Sequence, residues 1–258
     1  MIPRLRALFA CLLFISSFSA AAESDFCDLL KQDAQDIFSA PAHWDRQDWQ
    51  DIGIATATVI GTALIIDRPL RDTMRKQDQG SRFWLEVEKF GREYAALTMA
   101  GLYVGGLAGD DKMLAAAQDS VITSIIASGI IVTGIKTAVG RARPMANKGV
   151  FDSHPLTDPN SSFPSGHSAQ AFAVAAVLAE HYNETWQQAS FYGVASLAAL
   201  ARPYHDKHFA SDIVASAFIS IWTAKRVVRM NKGLRDKQVM LLPSLTQDGA
   251  ALNLVWRF

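Results

Sequence analysis

Long apolar stretches separated by short polar connectors dominate this chain. The first runs from Ile52 to Ile66, interrupted by Gly53 and Gly61. Others span Tyr94 to Leu107, Met113 to Val139, Ser168 to Tyr182, Ala189 to Leu200 and Asp212 to Val228. They are rich in Ala, Gly, Ser and Thr and too long for strands, so they predict an all-α bundle of about six core helices. The charged stretch Asp67 to Arg92 carries Phe83, Trp84, Val87 and Phe90 at the spacing of an amphipathic helix.

The two ends follow other patterns. Arg4 and Arg6 precede an apolar run from Ala7 to Phe18, and Ser19 to Ala22 are small, which predicts a secretory signal over residues 1–22 cleaved before Glu23. Residues 23–50 are polar with scattered aromatics (Phe38, Trp44, Trp49) and are expected to wrap the core. Residues 51–235 form the helical domain. From Val239 onward Leu252, Leu254, Trp256 and Phe258 alternate with Asn253, Val255 and Arg257, and Asp248-Gly249 is a turn signal. Residues 236–258 therefore read as a tail with a small β-hairpin packed on the bundle. A terminal Phe also resembles the ending of outer-membrane barrels, but one hairpin makes no barrel.

Composition narrows the setting. Half of the 258 residues are apolar and 19% are charged, which excludes a disordered chain. The formal charge is zero, so nothing electrostatic favours nucleic acid as a partner. Cys11 lies within the predicted signal, and Cys27 alone cannot form an internal disulfide. A bilayer crossing needs about 20 apolar residues, and most candidates are shorter. The longest includes Gln118, Asp119 and Lys136. A mean hydropathy of +0.10 is low for a chain that threads a membrane six times. The expectation is a periplasmic domain resting on a membrane surface.

Three stretches concentrate residues suited to phosphate. They are Lys136 to Pro144, Phe163 to Ser168, and Ala201 to Asp212. Each sits at the end of an apolar helix or the start of the next, and alternating helix ends meet on one side of an antiparallel bundle. Phosphoryl transfer spreads negative charge over oxygens that fixed cations stabilise. Lys136, Arg143 and Arg202 supply three cations, the arginines as bidentate forks. Ser165 and Gly166 precede a helix expected to begin near Ser168, whose free N–H groups favour an anion, and Gly166 lets the backbone approach a ligand. His208 precedes Asp212 by four residues, which places both on one face of a helical turn. The carboxylate can then hold one imidazole nitrogen while the other attacks phosphorus. His167 is placed to protonate the leaving oxygen.

These stretches resemble the type 2 phosphatidic acid phosphatase superfamily, which also contains bacterial acid phosphatases and vanadium haloperoxidases. The match comprises Lys136, Arg143 and Pro144; Pro164, Ser165, Gly166 and His167; and Arg202, His208 and Asp212. Ala201 departs from the usual serine at a position that is not a principal phosphate ligand. The resemblance spans roughly Ile52 to Val228. It implies a helical bundle, a phosphohistidine at His208, general acid catalysis by His167, and no metal or other cofactor. The implied substrate is a phosphorylated lipid or small phosphoester. A soluble acid phosphatase or a vanadate-loaded haloperoxidase is the alternative, although haloperoxidases of this superfamily are generally much longer.

Other polar residues are weaker candidates. His205, Asp206, Lys207 and Arg141 lie beside the motifs and can touch substrate. His154 and Asp158 lie in the loop 151–162 and can border an entrance. His43 and His181 are expected on the surface. No two histidines have zinc-like spacing beside carboxylate or thiolate ligands.

Overall fold

The computed structural model describes residues 20–78, 80–157, 161–235, 239–246 and 249–256. It divides after Pro41 into two units. In the first, α1 (Ala20–Ser39) is a helix where the sequence suggested only a polar wrap. The apolar run of the predicted signal lies outside the described residues.

The second unit begins its core with α2 (Arg46–Ile65), which starts six residues before the apolar run. Asp45 is the reason. Its carboxylate accepts from the N–H groups of Gln47 and Asp48, while Asp48 accepts from the Asp45 N–H. This capping box satisfies N–H groups that would otherwise lack partners. Two short helices follow, α3 (Asp67–Met74) and α4 (Arg82–Glu88), then α5 (Glu93–Leu107). The amphipathic pattern of Phe83, Trp84, Val87 and Phe90 falls on α4 and the 3-10 turn Lys89–Gly91.

Asp110 caps α6 (Asp111–Thr123) by accepting from Met113 N–H. The chain continues through a π-helical segment, Ser124–Val132, into α7 (Thr133–Val139). Together Asp111–Val139 is long and apolar enough to cross a bilayer, by length and composition. Gly140 ends it in the left-handed region at φ +62, where an added Cβ would lie 1.9 Å from the His154 carbonyl oxygen. Only glycine fits that turn.

Helix α8 (Gly166–His181) is the axis of the unit and is buried from Ser168 to Ala179 except at Gln170. It packs against α9 (Thr185–Tyr204) and α10 (Ala210–Arg235), and also against α6. Its many alanines let neighbouring backbones approach, which suits a helix enclosed on several sides. Larger side chains fill the remaining space: Ile122, Val177 and Val227 are wholly buried, each stabilising by about 1.5–3 kcal/mol.

The outward faces are also apolar. Ile54, Leu64 and Ile65 on α2, Leu97, Val104 and Leu107 on α5, and Leu197 and Leu200 on α9 are exposed. C-terminal to the bundle, Val239–Thr246 and Gly249–Trp256 run antiparallel, Val239 opposite Trp256. The expected seat of this pair on the bundle is not among the described contacts, and the fold that positions the site is helical.

Candidate active site

The three motif stretches meet at one end of the bundle, where α7 and α9 finish and α8 and α10 begin. The connecting loop is stitched to both sides. Lys136 Nζ donates to the Ser161 carbonyl at 2.6 Å, and Ser162 N–H donates to the Arg141 carbonyl at 2.7 Å. Ser165 N–H donates to the Asp212 carbonyl at 3.2 Å.

His208 is 3% exposed and sits just before α10, not within a helical turn as its spacing to Asp212 suggested. Its Nδ1 lies 2.7 Å from the Ser162 carbonyl oxygen and 3.4 Å from Asp212 Oδ2. A carbonyl oxygen only accepts, so Nδ1 carries the proton and Nε2 is left as the basic nitrogen. The nearer orienting partner is thus the loop backbone, and the expected carboxylate is the more distant one. Burial, acting first, pushes the His208 pKa down to about 4, against the pull of Asp212.

Asp212 is occupied elsewhere as well. Its Oδ2 accepts from Phe209 N–H at 2.8 Å and from the Ser162 hydroxyl, and its Oδ1 accepts from Arg141 Nη1 at 2.6 Å. Arg141 is buried over the Phe209 ring and extends its other arm to Asp67 Oδ2 at 2.7 Å. Asp67 also accepts from both the N–H and the hydroxyl of Ser211. Burial alone would raise the Asp212 pKa, but His208 and Arg141 outweigh it and hold the carboxyl below its ordinary range. Arg141, a candidate to touch substrate, is committed to this internal network instead. Asp67 carried no sequence signal, because its partners lie 74 and 144 residues away.

Ser165 is the N-cap of α8, its hydroxyl accepting from Ser168 N–H and from the Ser168 hydroxyl. A Cβ on Gly166 would meet nothing within 4 Å, so the space above that turn is open. His167 follows in the first turn. Burial, then Arg202, push its pKa down to about 3, with Glu88 acting against them. Its backbone is backed by Gly91, where an added Cβ would come within 2.9 Å of the His167 carbonyl oxygen.

Arg202 is 3% exposed at the end of α9. One arm of its guanidinium donates from Nη1 to Glu88 Oε1, while its Nε is buried without an acceptor among the described residues. Arg143 is close enough to act on Arg202 electrostatically. The loop carrying Arg143 is held from α3: Arg75 donates to the Pro144 carbonyl, the Asn147 side chain and both oxygens of Asp206. Lys207 Nζ donates to Glu88 Oε1 at 2.9 Å, and His205 Nε2 lies 3.3 Å from Glu88 Oε2. Of the neighbouring candidates, Asp206 is therefore a loop anchor, and Lys207 and His205 gather around Glu88.

The remaining candidates stand apart. His154 is exposed and pairs with Asp152 at 2.9 Å. Asp158 lies outside the described residues. His43 is exposed. His181 is not the surface residue expected: it is largely buried, its Nε2 2.8 Å from Asp119 Oδ2. Asp119 also accepts from Asn231 and from both arms of Arg235.

Residues 120–236 match the PAP2 superfamily. A lipid A 1-phosphatase of Porphyromonas gingivalis is 30% identical over 130 residues, 49% of this chain and 26% of that protein. One from Rhizobium etli is 30% identical over 109 residues, 40% of this chain and 45% of that protein. The chain thus spans less than half the length of these curated relatives. A crystal structure of Aquifex aeolicus LpxE covers 64% of this chain and 94% of its own, with 23% identity and a TM-score of 0.49.

Proposed function

Residues 120–236 match the PAP2 superfamily, and from that match we propose that this chain is an exported, membrane-associated phosphatase acting on a phosphorylated lipid. The observation that carries the chemistry is the 2.7 Å approach of His208 Nδ1 to the Ser162 carbonyl. It assigns the Nδ1 proton and leaves Nε2 free to attack phosphorus. As the N–P bond forms, the bond from phosphorus to the leaving oxygen breaks, and that oxygen takes a proton from His167. Water then attacks the phosphohistidine, giving its proton back to His167 and releasing phosphate. Lys136, Arg143 and Arg202, with the N–H groups of Gly166 and His167, hold the phosphate oxygens.

The His208 direction fits this division, and the His167 direction runs against it until substrate binds. His208 at about 4 is neutral at physiological pH, as a nucleophile must be. His167 at about 3 is depressed first by burial and then by Arg202. A bound phosphate dianion offsets the Arg202 charge and draws His167 toward its protonated form.

Two further observations support a lipid substrate. Exposed Leu64, Leu97, Leu107 and Leu197 make the outer helix faces apolar in a way that a water-immersed enzyme avoids. Asp111–Val139 is also long and apolar enough to cross a bilayer, by length and composition. The lipid A 1-phosphatase relatives make a glycolipid phosphate the first substrate to try. Export follows from the signal-like residues 1–22, and the C-terminal strand pair is a peripheral addition to the catalytic body.

The test is phosphate release by detergent-purified full-length protein from lipid A 1-phosphate, phosphatidate, undecaprenyl diphosphate and p-nitrophenyl phosphate. Release from a lipid, unaffected by EDTA and blocked by vanadate, is expected. Activity lost in EDTA and restored by zinc or magnesium would show that a metal supplies the electrophile. Bromide oxidation by peroxide and vanadate without phosphate release would point to a haloperoxidase.

A further inference from the structure

Glu88 belongs to none of the three motifs and lies outside residues 120–236, yet its carboxylate reaches the centre of the cationic cluster. It closes α4, and α4 is anchored over the site by Trp84, which stacks on Tyr204 with ring centroids 5.2 Å apart. Immediately after it, the turn Lys89–Gly91 presses on the His167 backbone. The carboxylate is 15% exposed and is met by Arg202, Lys207 and His205. Burial alone would push its pKa up, but Arg202 and then Lys207 outweigh this and hold the carboxyl below its ordinary range.

The unequal use of Arg202 is the informative detail. Nη1 is committed to Glu88, whereas Nε is buried and has no acceptor among the described residues. A buried guanidinium N–H left unmade is costly, and such a group in a native site implies a ligand that completes it. We propose that Glu88 is the positioning residue of the phosphate cradle, tying down one arm of Arg202 so that its remaining N–H edge is presented to a phosphate oxygen. This rests on the phosphatase reading above and adds to it a residue that touches no substrate.

Glu88 has a second effect through the same geometry. The charged and titratable groups acting on His167 are Arg202, Glu88, His208 and Arg92, and Glu88 is the one that favours a protonated imidazole. Removing its charge lowers the His167 pKa. A general acid loses activity as pH rises through its pKa, so the alkaline limb of the rate profile moves toward acid.

The experiment uses full-length protein in detergent with three side chains at position 88: wild type, Glu88→Gln and Glu88→Ala. Inorganic phosphate and vanadate binding, measured by calorimetry, requires no turnover. Glu88→Ala is expected to weaken both by about tenfold, the loss of one well-aimed charge-assisted hydrogen bond. Glu88→Gln keeps an acceptor for Arg202 and is expected to recover most of that affinity. With p-nitrophenyl phosphate, KM should rise more than kcat falls in Glu88→Ala, and the alkaline limb should move acidward in both variants. Unchanged or tighter phosphate binding in Glu88→Ala would overturn the proposal, the latter by making Glu88 a competitor for Arg202. So would an alkaline limb that stays in place in both variants. A wild type whose phosphate affinity depends on Glu88 but which hydrolyses no ester would sink the phosphatase reading and leave this one standing.

Discussion

Two buried aspartates at opposite ends of the bundle are built from the same residue types and do different things. Asp119, on α6, is wholly buried and meets His181 at 2.8 Å, Asn231, and both arms of Arg235. Asp212, on α10, is equally buried and meets Arg141, Ser162 and the Phe209 N–H, with His208 at 3.4 Å. At the Asp119 end the histidine bonds the carboxylate directly and the arginine fork is spent upon it. This is a staple joining α6, α8 and α10. At the Asp212 end the histidine hangs from a backbone carbonyl, and among the described residues its Nε2 is left free and a second arginine, Arg202, keeps an unmade N–H. A carboxylate, a histidine and an arginine thus make a structural lock when every donor is used, and leave groups available to a ligand when some are withheld.

The comparison breaks first at the histidines. His208→Ala should lower turnover by roughly 10³-fold or more, since removing a member of a nucleophilic relay leaves only binding and charge stabilisation. His181→Ala should leave turnover at the wild-type level. Acid-quenched labelling with a radioactive phosphoester should mark wild type and His167→Ala but not His208→Ala, and the reverse pattern would exchange the two roles.

The aspartates come next. Asp119→Ala strands Arg235 and His181 in a buried position and should cost about 3–5 kcal/mol of stability, as for other broken buried pairs. Its readout is the denaturant midpoint. Asp212→Asn should keep the fold while slowing turnover roughly 10²-fold or more, because the charge beside the imidazole is lost. If Asp119→Ala loses activity without losing stability, the far end is no mere staple.

The smallest effect is a pH dependence of stability. His208 and His167 are held neutral in the native state, with pKa values of about 4 and about 3 against an ordinary 6.5. Between pH 6.5 and 4 the unfolded chain takes up protons that the native protein refuses. Stability therefore falls as pH falls through that window, by about 1.4 kcal/mol per pH unit for each histidine. A His167→Gln/His208→Gln double variant should show a flatter acid limb in thermal melts.

The all-helical body was legible in the sequence because burial on a helix writes long apolar runs that strands do not need. So was the meeting of the three motif stretches, because the motifs lie at helix ends and an antiparallel bundle brings alternate ends together. Local spacing also misled. Four residues between His208 and Asp212 suggested one helical face, but α10 begins at Ala210 and Asp212 turns back to the Phe209 N–H. Arg141 and Arg143 are two residues apart and identical in chemistry. The left-handed turn at Gly140 and the distant Asp67 decided which of them is drawn inward. His181 looked like a surface residue because its partners, Asp119, Asn231 and Arg235, lie on other helices.

By itself, then, the sequence determined the helices, the motif residues and the supply of cations, all consequences of local composition and periodicity. Only the tertiary structure decided which acceptor each donor meets: Ser162 for His208, Asp67 for Arg141, Glu88 for Arg202. Those partners lie 46, 74 and 114 residues apart. Hydrogen bonds act over about 3 Å, so contacts of that kind exist only once packing has brought the helix ends together.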